Sequence, residues 1–143
     1  MKSKTLVFIQ FGTIFLMLLP LGGGVQNLYL GLALIIPGII IGLLAVFTHP
    51  VGNFNIRPDI KDNCTLISHG IYRYIRHPMY ASVLLSMLGV AIMYANLYVS
   101  ILYLILLVNM LVKMFYEESL WKNRSGEYQE YAQNRYRLIP FIF

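Results

Sequence analysis

The sequence predicts an all-α membrane protein of four spans, and three observations carry that expectation. The 143 residues are 58% hydrophobic and only 12% charged, with a mean hydropathy of +0.66, too little charge to cover a soluble globule. Four apolar runs approach the ~20 residues that cross a hydrocarbon core. All eleven Lys and Arg fall in three clusters, and the connections between them alternate charged and uncharged. The length suits one domain, residues 1–143.

The first span is expected over about residues 5–21. Lys2 and Lys4 precede it as they would a signal peptide, but no small-residue cleavage site follows, so it reads as a retained helix. "GGG" at 22–24 reads as a turn, leading to a second span over 28–48 with Pro37 near its middle. Gly38-x-x-x-Gly42 offers close helix packing, within the chain or across a homodimer. A loop over 49–78 is broken by Pro50, Gly52, Pro58 and Gly70. The third and fourth spans, 79–95 and 98–115, are parted only around Asn96 and form a tight antiparallel hairpin. The tail 116–143 is expected to leave the membrane as a helix, pause at Gly126 and resume, with Tyr128, Tyr131 and Arg135 on one face.

Lys2 and Lys4, the loop cations Arg57, Lys61, Arg73 and Arg76, and the group from Lys113 to Arg137 then share one side of the bilayer. The positive-inside rule makes that side cytoplasmic, with both termini there. Asp59, Asp62, Glu117, Glu118, Glu127 and Glu130 lie there too, so the working surface is expected to be cytoplasmic. The net charge of +5 reflects topology and anionic headgroups; nucleic acid is not an expected partner. The single Cys64 allows no internal disulfide and reads as passive. His49, His69 and His77 lack metal-site spacing, so no metal is expected.

Two places carry chemistry. At Arg76-His77-Pro78, proline in the first helical position starts the third span, and the helix start joins Arg73 and Arg76 in an anion-accepting corner. Arg and Tyr at an interface are also ordinary anchors, and composition leaves anchor and site level. On the fourth span Asn109, Lys113 and Glu117 recur every four residues as one polar stripe, with Lys113 placed to snorkel and pair with Glu117. The hairpin returns Glu117 and Glu118 beside the basic corner. Those two poles suit a ligand with a carboxylate and positive charge, such as S-adenosylmethionine.

Taken together, "LISHGIYRYIRHPMYAS" and "EESLWKNRSGEYQEYAQNRYRLIP" resemble the integral-membrane methyltransferases, the group of isoprenylcysteine carboxyl methyltransferase and the phospholipid N-methyltransferases. The matching residues are Gly70 and Tyr72; Arg76, His77, Pro78 and Tyr80; Glu117 and Glu118; Gly126, Glu127, Tyr128 and Tyr131; and Arg137, Ile139 and Pro140. The upstream "NFNIRPDIKDNCTL" looks like the lead-in of small prokaryotic members, which implies an inner or plasma membrane location. The resemblance covers the last two thirds of the chain. It implies a helical enzyme that binds S-adenosylmethionine through Tyr72, His77, Pro78, Tyr80, Glu117 and Glu118. Arg76 or Arg137 would orient a lipid-like or prenylated acceptor drawn from the bilayer, and Glu117 would take a proton if that acceptor is an amine. Carboxylate, amine and thiol acceptors stay open. Ser82 stands where the family often has glycine and would narrow the cofactor cleft.

Two rivals remain. "RLIPFIF" also resembles the tail of NADPH-dependent membrane steroid or enone reductases, though Met79 stands where that family favours asparagine. A small four-helix transporter would need a carboxylate in its first span, and neither of the first two spans has one.

Overall fold

The computed structural model describes residues 2–19, 21, 23–50, 57–59, 65–124, 126–140 and 142–143. Gly22 of the glycine turn and Gly52, Lys61, Asp62 and Cys64 of the loop lie outside them. The described chain is helical without a strand: α1 (Lys2–Leu18), α2 (Leu28–Thr48), a 3-10 turn (Gly70–Arg73), α3 (Pro78–Tyr94), α4 (Leu97–Arg124) and α5 (Gly126–Gln133). α2 and α4 are long and apolar enough to cross a membrane. α1 and α3, at 17 residues each, fall short of a full ~20-residue span.

Three boundaries differ from expectation for local reasons. α1 starts at Lys2 and ends at Leu18, three residues early at each end. Polar residues open it without strain because the flanking lysines carry no helix breaker. The fourth span and the helical start expected for the tail form one helix, α4, unbroken from 115 to Arg124 and ending where the pause at Gly126 was expected, since Glu, Leu, Lys and Arg after Phe115 are all good helix formers. α5 ends at Gln133, so Arg135 is not on its face; the chain there turns extended, and Tyr136 pairs with Ile75 in a parallel bridge.

The α3–α4 hairpin is tight, as expected. Ala95 takes a left-handed φ of 47° to close α3, and Asn96 Oδ1 accepts from Val99 N at 2.9 Å to open α4. α3 nevertheless packs most extensively on α2. A Cβ on Gly38 would lie 2.3 Å from Ser86 Oγ, and one on Gly89 would lie 2.6 Å from the Gly31 carbonyl. The Gly38 and Gly42 face is therefore filled by α3, and it is not the face that a second copy would use. Ser82 belongs to the same seam: its hydroxyl donates to the Gly38 carbonyl at 2.7 Å, facing α2.

α1 lies along α4, and the polar stripe explains why. Asn109 Nδ2 donates to the Leu6 carbonyl at 3.1 Å, and Lys113 Nζ donates to Gln10 Oε1. Lys113 is 1% exposed. Buried in this way it does not snorkel, and its ammonium reaches Gln10 on α1. The main core gathers Met17, Leu84, Val99, Leu106 and Met110 between these helices. Outside it, Phe8, Phe15, Tyr29, Phe47, Leu104 and Val108 stand exposed along α1, α2 and α4, an apolar outer surface suited to lipid.

Candidate active site

The site forms where α2 ends, α3 begins and α4 passes. Gly70 opens the 3-10 turn with a φ of +58°, and a Cβ there would come within 2.9 Å of the Thr48 side chain. Only glycine fits both the backbone and the space, and this lets Tyr72 pack against the end of α2. Tyr72 is buried, and its hydroxyl lies 2.7 Å from His49 Nε2, the residue that closes α2. From the other side Tyr131 of α5 donates to the Tyr72 carbonyl at 2.7 Å.

His77 caps α3 and Pro78 occupies its first turn. The two residues before Pro78 run extended and pair with the tail: Arg76 N donates to the Tyr136 carbonyl at 2.8 Å and His77 N to the Arg137 carbonyl at 3.0 Å. The terminal Arg-x-Ile-Pro stretch thus holds the helix start in place.

Glu118 is the hub of the side chains. It is 2% exposed and faces three nitrogen groups. Arg76 Nη1 donates to it at 2.7 Å, Arg137 Nε donates at 3.3 Å, and His77 Nε2 lies 3.3 Å away. Arg137 is also flanked by the rings of Phe115 and Phe143, 5.6 and 5.2 Å from its guanidinium carbon. Glu117, one residue earlier, points elsewhere and accepts the Tyr80 hydroxyl at 2.6 Å. Tyr80 stacks parallel to His77 with centroids 5.3 Å apart, and the Lys113 ammonium sits 5.3 Å from the centre of its ring.

These groups surround a cleft enclosing about 790 Å³ including its open mouth. Of the residues expected in the site, Tyr72, Arg76, His77, Tyr80 and Glu117 line it. Pro78, Glu118 and Arg137 lie behind the wall, so Glu118 and Arg137 set the position of Arg76 and His77. Ser82 is not among the lining residues, so it does not narrow the cleft. Among the described residues no cluster of three metal-ligating groups occurs.

Further residues contribute to the walls. His49 has no metal-site spacing, but its His49-Pro50 dipeptide repeats the His77-Pro78 pair across the cleft. Trp121 stacks on Tyr128 with centroids 5.9 Å apart. Met79, Tyr128 and Tyr131 complete the apolar and aromatic side. Burial pushes the Tyr72 and Tyr131 hydroxyls well above their ordinary range. Burial and the nearby Glu118 push Tyr128 up to about 12, against the pull of Arg76. These phenols stay protonated; Tyr131 donates to the Tyr72 carbonyl, while the Tyr128 oxygen accepts from Arg76. Burial lowers the His49 imidazole despite the opposing charge of Glu117, so this ring favours its neutral form.

The cleft has an acid pole at Glu117, a cationic pole at Arg76 beside the α3 start, and an aromatic wall between them. That donor set fits S-adenosylmethionine: an acid for its ammonium and sulfonium, the Arg76 cation for its carboxylate, and rings for its adenine.

The profile of the phospholipid methyltransferase family (PEMT) matches residues 26–126. The chain is similar to the probable protein-S-isoprenylcysteine O-methyltransferases of indica and japonica rice, at 36% identity over 122 residues in each. The match covers 80% of this chain and 61% of each rice protein. Protein-S-isoprenylcysteine O-methyltransferase A of Arabidopsis thaliana is 29% identical over 120 residues, 78% of this chain and 58% of its own length. The chain thus spans about three fifths of these relatives. Among solved structures, the eukaryotic intramembrane Ras methyltransferase ICMT superposes with a TM-score of 0.70 at 22% identity, over 98% of this chain and 53% of that one. At that identity the likeness speaks for the fold alone.

Proposed function

The chain belongs to the phospholipid methyltransferase family, and from that premise we propose that it transfers a methyl group from S-adenosylmethionine to a lipid-like acceptor in the membrane. The observation that carries this reading is the pairing of opposite poles across one aromatic-walled cleft, with Glu117 facing Arg76 and His77. Tyr72, His77, Tyr80 and Glu117 would hold the cofactor, with Pro78 fixing the helix start and Glu118 holding Arg76 and His77 in register. When bound, S-adenosylmethionine supplies a methyl group on a sulfonium, a carbon already activated for displacement. The protein's task is then alignment and exclusion of water. The names of the rice and Arabidopsis relatives support a prenylated cysteine as acceptor, and the family name supports a phospholipid.

In this reading α1 to α4 all cross the bilayer. The shorter α1 and α3 are accommodated by tilt and local thinning, and both ends of the chain and the cleft lie on the cytoplasmic side. The apolar cleft residues Leu66, Ile67 and Met79 would guide an acceptor entering from lipid while the cofactor enters from water.

Full-length protein in nanodiscs, given S-adenosylmethionine labelled on the methyl group and host lipid extract, is expected to label a lipid-soluble product. Absence of both cofactor binding and label transfer, together with binding of NADPH, would replace this reading with that of a membrane reductase.

A further inference from the structure

The two arginines expected to orient an acceptor both bond Glu118, and the reading above gives Arg76 to the cofactor's carboxylate. Arg76 gives Nη1 to Glu118 at 2.7 Å, and Arg137 lies behind the wall, bonded to the same carboxylate and flanked by two rings. The cleft holds instead a histidine that no part of the reading above uses. His49 lines it from the end of α2, with Nε2 2.7 Å from the Tyr72 hydroxyl, which also lines it. The two rings meet edge to face with centroids 5.2 Å apart, which fixes the imidazole relative to the phenol. Tyr131 holds the Tyr72 backbone from the far side.

We propose that Tyr72 and His49 form a proton-accepting pair for an acceptor whose nucleophile arrives carrying a proton, an ammonium group in place of a carboxylate. This rests on the methyltransferase reading and deepens it. The N–H bond of the ammonium breaks and the nitrogen keeps the electron pair. Its proton passes to the Tyr72 oxygen as the phenol proton passes to His49 Nε2, leaving an imidazolium and an unchanged phenol. His49 acts through Tyr72 and is the positioning and storing member of the pair. A carboxylate acceptor needs no such step, because it is already a free nucleophile at neutral pH.

The surroundings suit the transfer. Glu117 of α4 and Asp59 of the loop face the pair with negative charge that steadies an imidazolium, and Arg57 of the loop opposes it. Tyr80 of α3 donates its hydroxyl to Glu117, and Tyr131 of α5 is a phenol that stays neutral. Burial keeps His49 neutral before the proton arrives. Tyr72 cannot serve as the final base alone, because burial and Glu117 disfavour its phenolate.

The test uses the full chain in nanodiscs of phosphatidylethanolamine, or with added S-farnesylcysteine as the carboxylate probe. His49→Gln is expected to lower kcat for phosphatidylethanolamine by about 10²-fold at pH 7, with KM and S-adenosylmethionine affinity held within about threefold. The defect shrinks toward about pH 10, where a primary ammonium loses its proton unaided. Tyr72→Phe, which keeps the ring, shows the same pH-dependent loss. Histidine-selective NMR of wild type, with His49 assigned by its absence in His49→Gln, finds a neutral ring at pH 7 that titrates below the ordinary value. A defect of equal size at both pH values, full activity in His49→Gln, transfer confined to S-farnesylcysteine, or an imidazolium at pH 7 each overturns the pair. None of these touches the methyltransferase reading, which fails instead if the wild type binds no S-adenosylmethionine.

Discussion

Glu118 does more for this molecule than its neighbour of the same type. Its carboxylate is what keeps the buried Arg76 guanidinium compensated, and without it that charge would stand alone in the interior. Glu118→Ala is expected to destabilise the protein by ~3–5 kcal/mol, read from thermal unfolding in detergent, and to lower cofactor affinity through the displaced Arg76 and His77. His77→Ala should weaken S-adenosylmethionine binding at least tenfold while thermal stability falls far less. Equal loss of stability in both variants would contradict the division of labour. The sequence made these residues visible as types: Arg76, His77, Glu117 and Glu118 were legible from motif and hairpin. It did not distinguish the two glutamates. That difference arises from the ~100° turn between successive helical residues, which aims Glu117 at Tyr80 and the cleft and Glu118 at the tail. Lys113 was misread for a similar reason: Gln10, its partner, is 103 residues away in the chain, and no local pattern announces it.

Between elements, the seam of α2 on α3 sets where His49 and Tyr72 stand relative to His77. That seam is built from backbone in contact with backbone. Gly89→Ala would place a methyl 2.6 Å from the Gly31 carbonyl and 3.0 Å from Ile35 N, and backbone there cannot swing aside. A cost of ~1–3 kcal/mol is expected. Gly12→Ala on α1 meets nothing within 4 Å and should be neutral or slightly stabilising, by up to ~1 kcal/mol from helix propensity. Paired thermal denaturation of the two variants checks this; a loss of equal size would mean that packing at Gly89 is not the cause. The sequence disclosed the small-residue face at Gly38 and Gly42 but not its partner. Ser82 and Ser86 on α3 repeat the four-residue spacing of Gly38 and Gly42, but that spacing marks a small-residue face without naming what packs on it. The α1–α4 contact was equally hidden, since Asn109 and Lys113 advertise a polar face without saying what meets it.

For the molecule as a whole, the outer surfaces of α1, α2 and α4 carry exposed aromatic and aliphatic side chains. Composition made that arrangement legible, because it depends on sums over many residues and tolerates errors of a few positions at each boundary. In a Cys64→Ser background, Val25→Cys in the α1–α2 connection should react with a membrane-impermeant maleimide on intact cells. Gln129→Cys on α5 should react only after lysis. The reverse pattern would invert the orientation and put the cleft on the outer side.

The central claim is that the cleft between His77, Tyr80 and Glu117 is built for S-adenosylmethionine, and equilibrium binding of radiolabelled cofactor to the nanodisc-embedded protein tests it most directly. Saturable binding is expected, weakened at least tenfold by Glu117→Gln and unaffected by excess NADPH. No saturable binding, or binding that Glu117→Gln leaves unchanged and NADPH displaces, would contradict it.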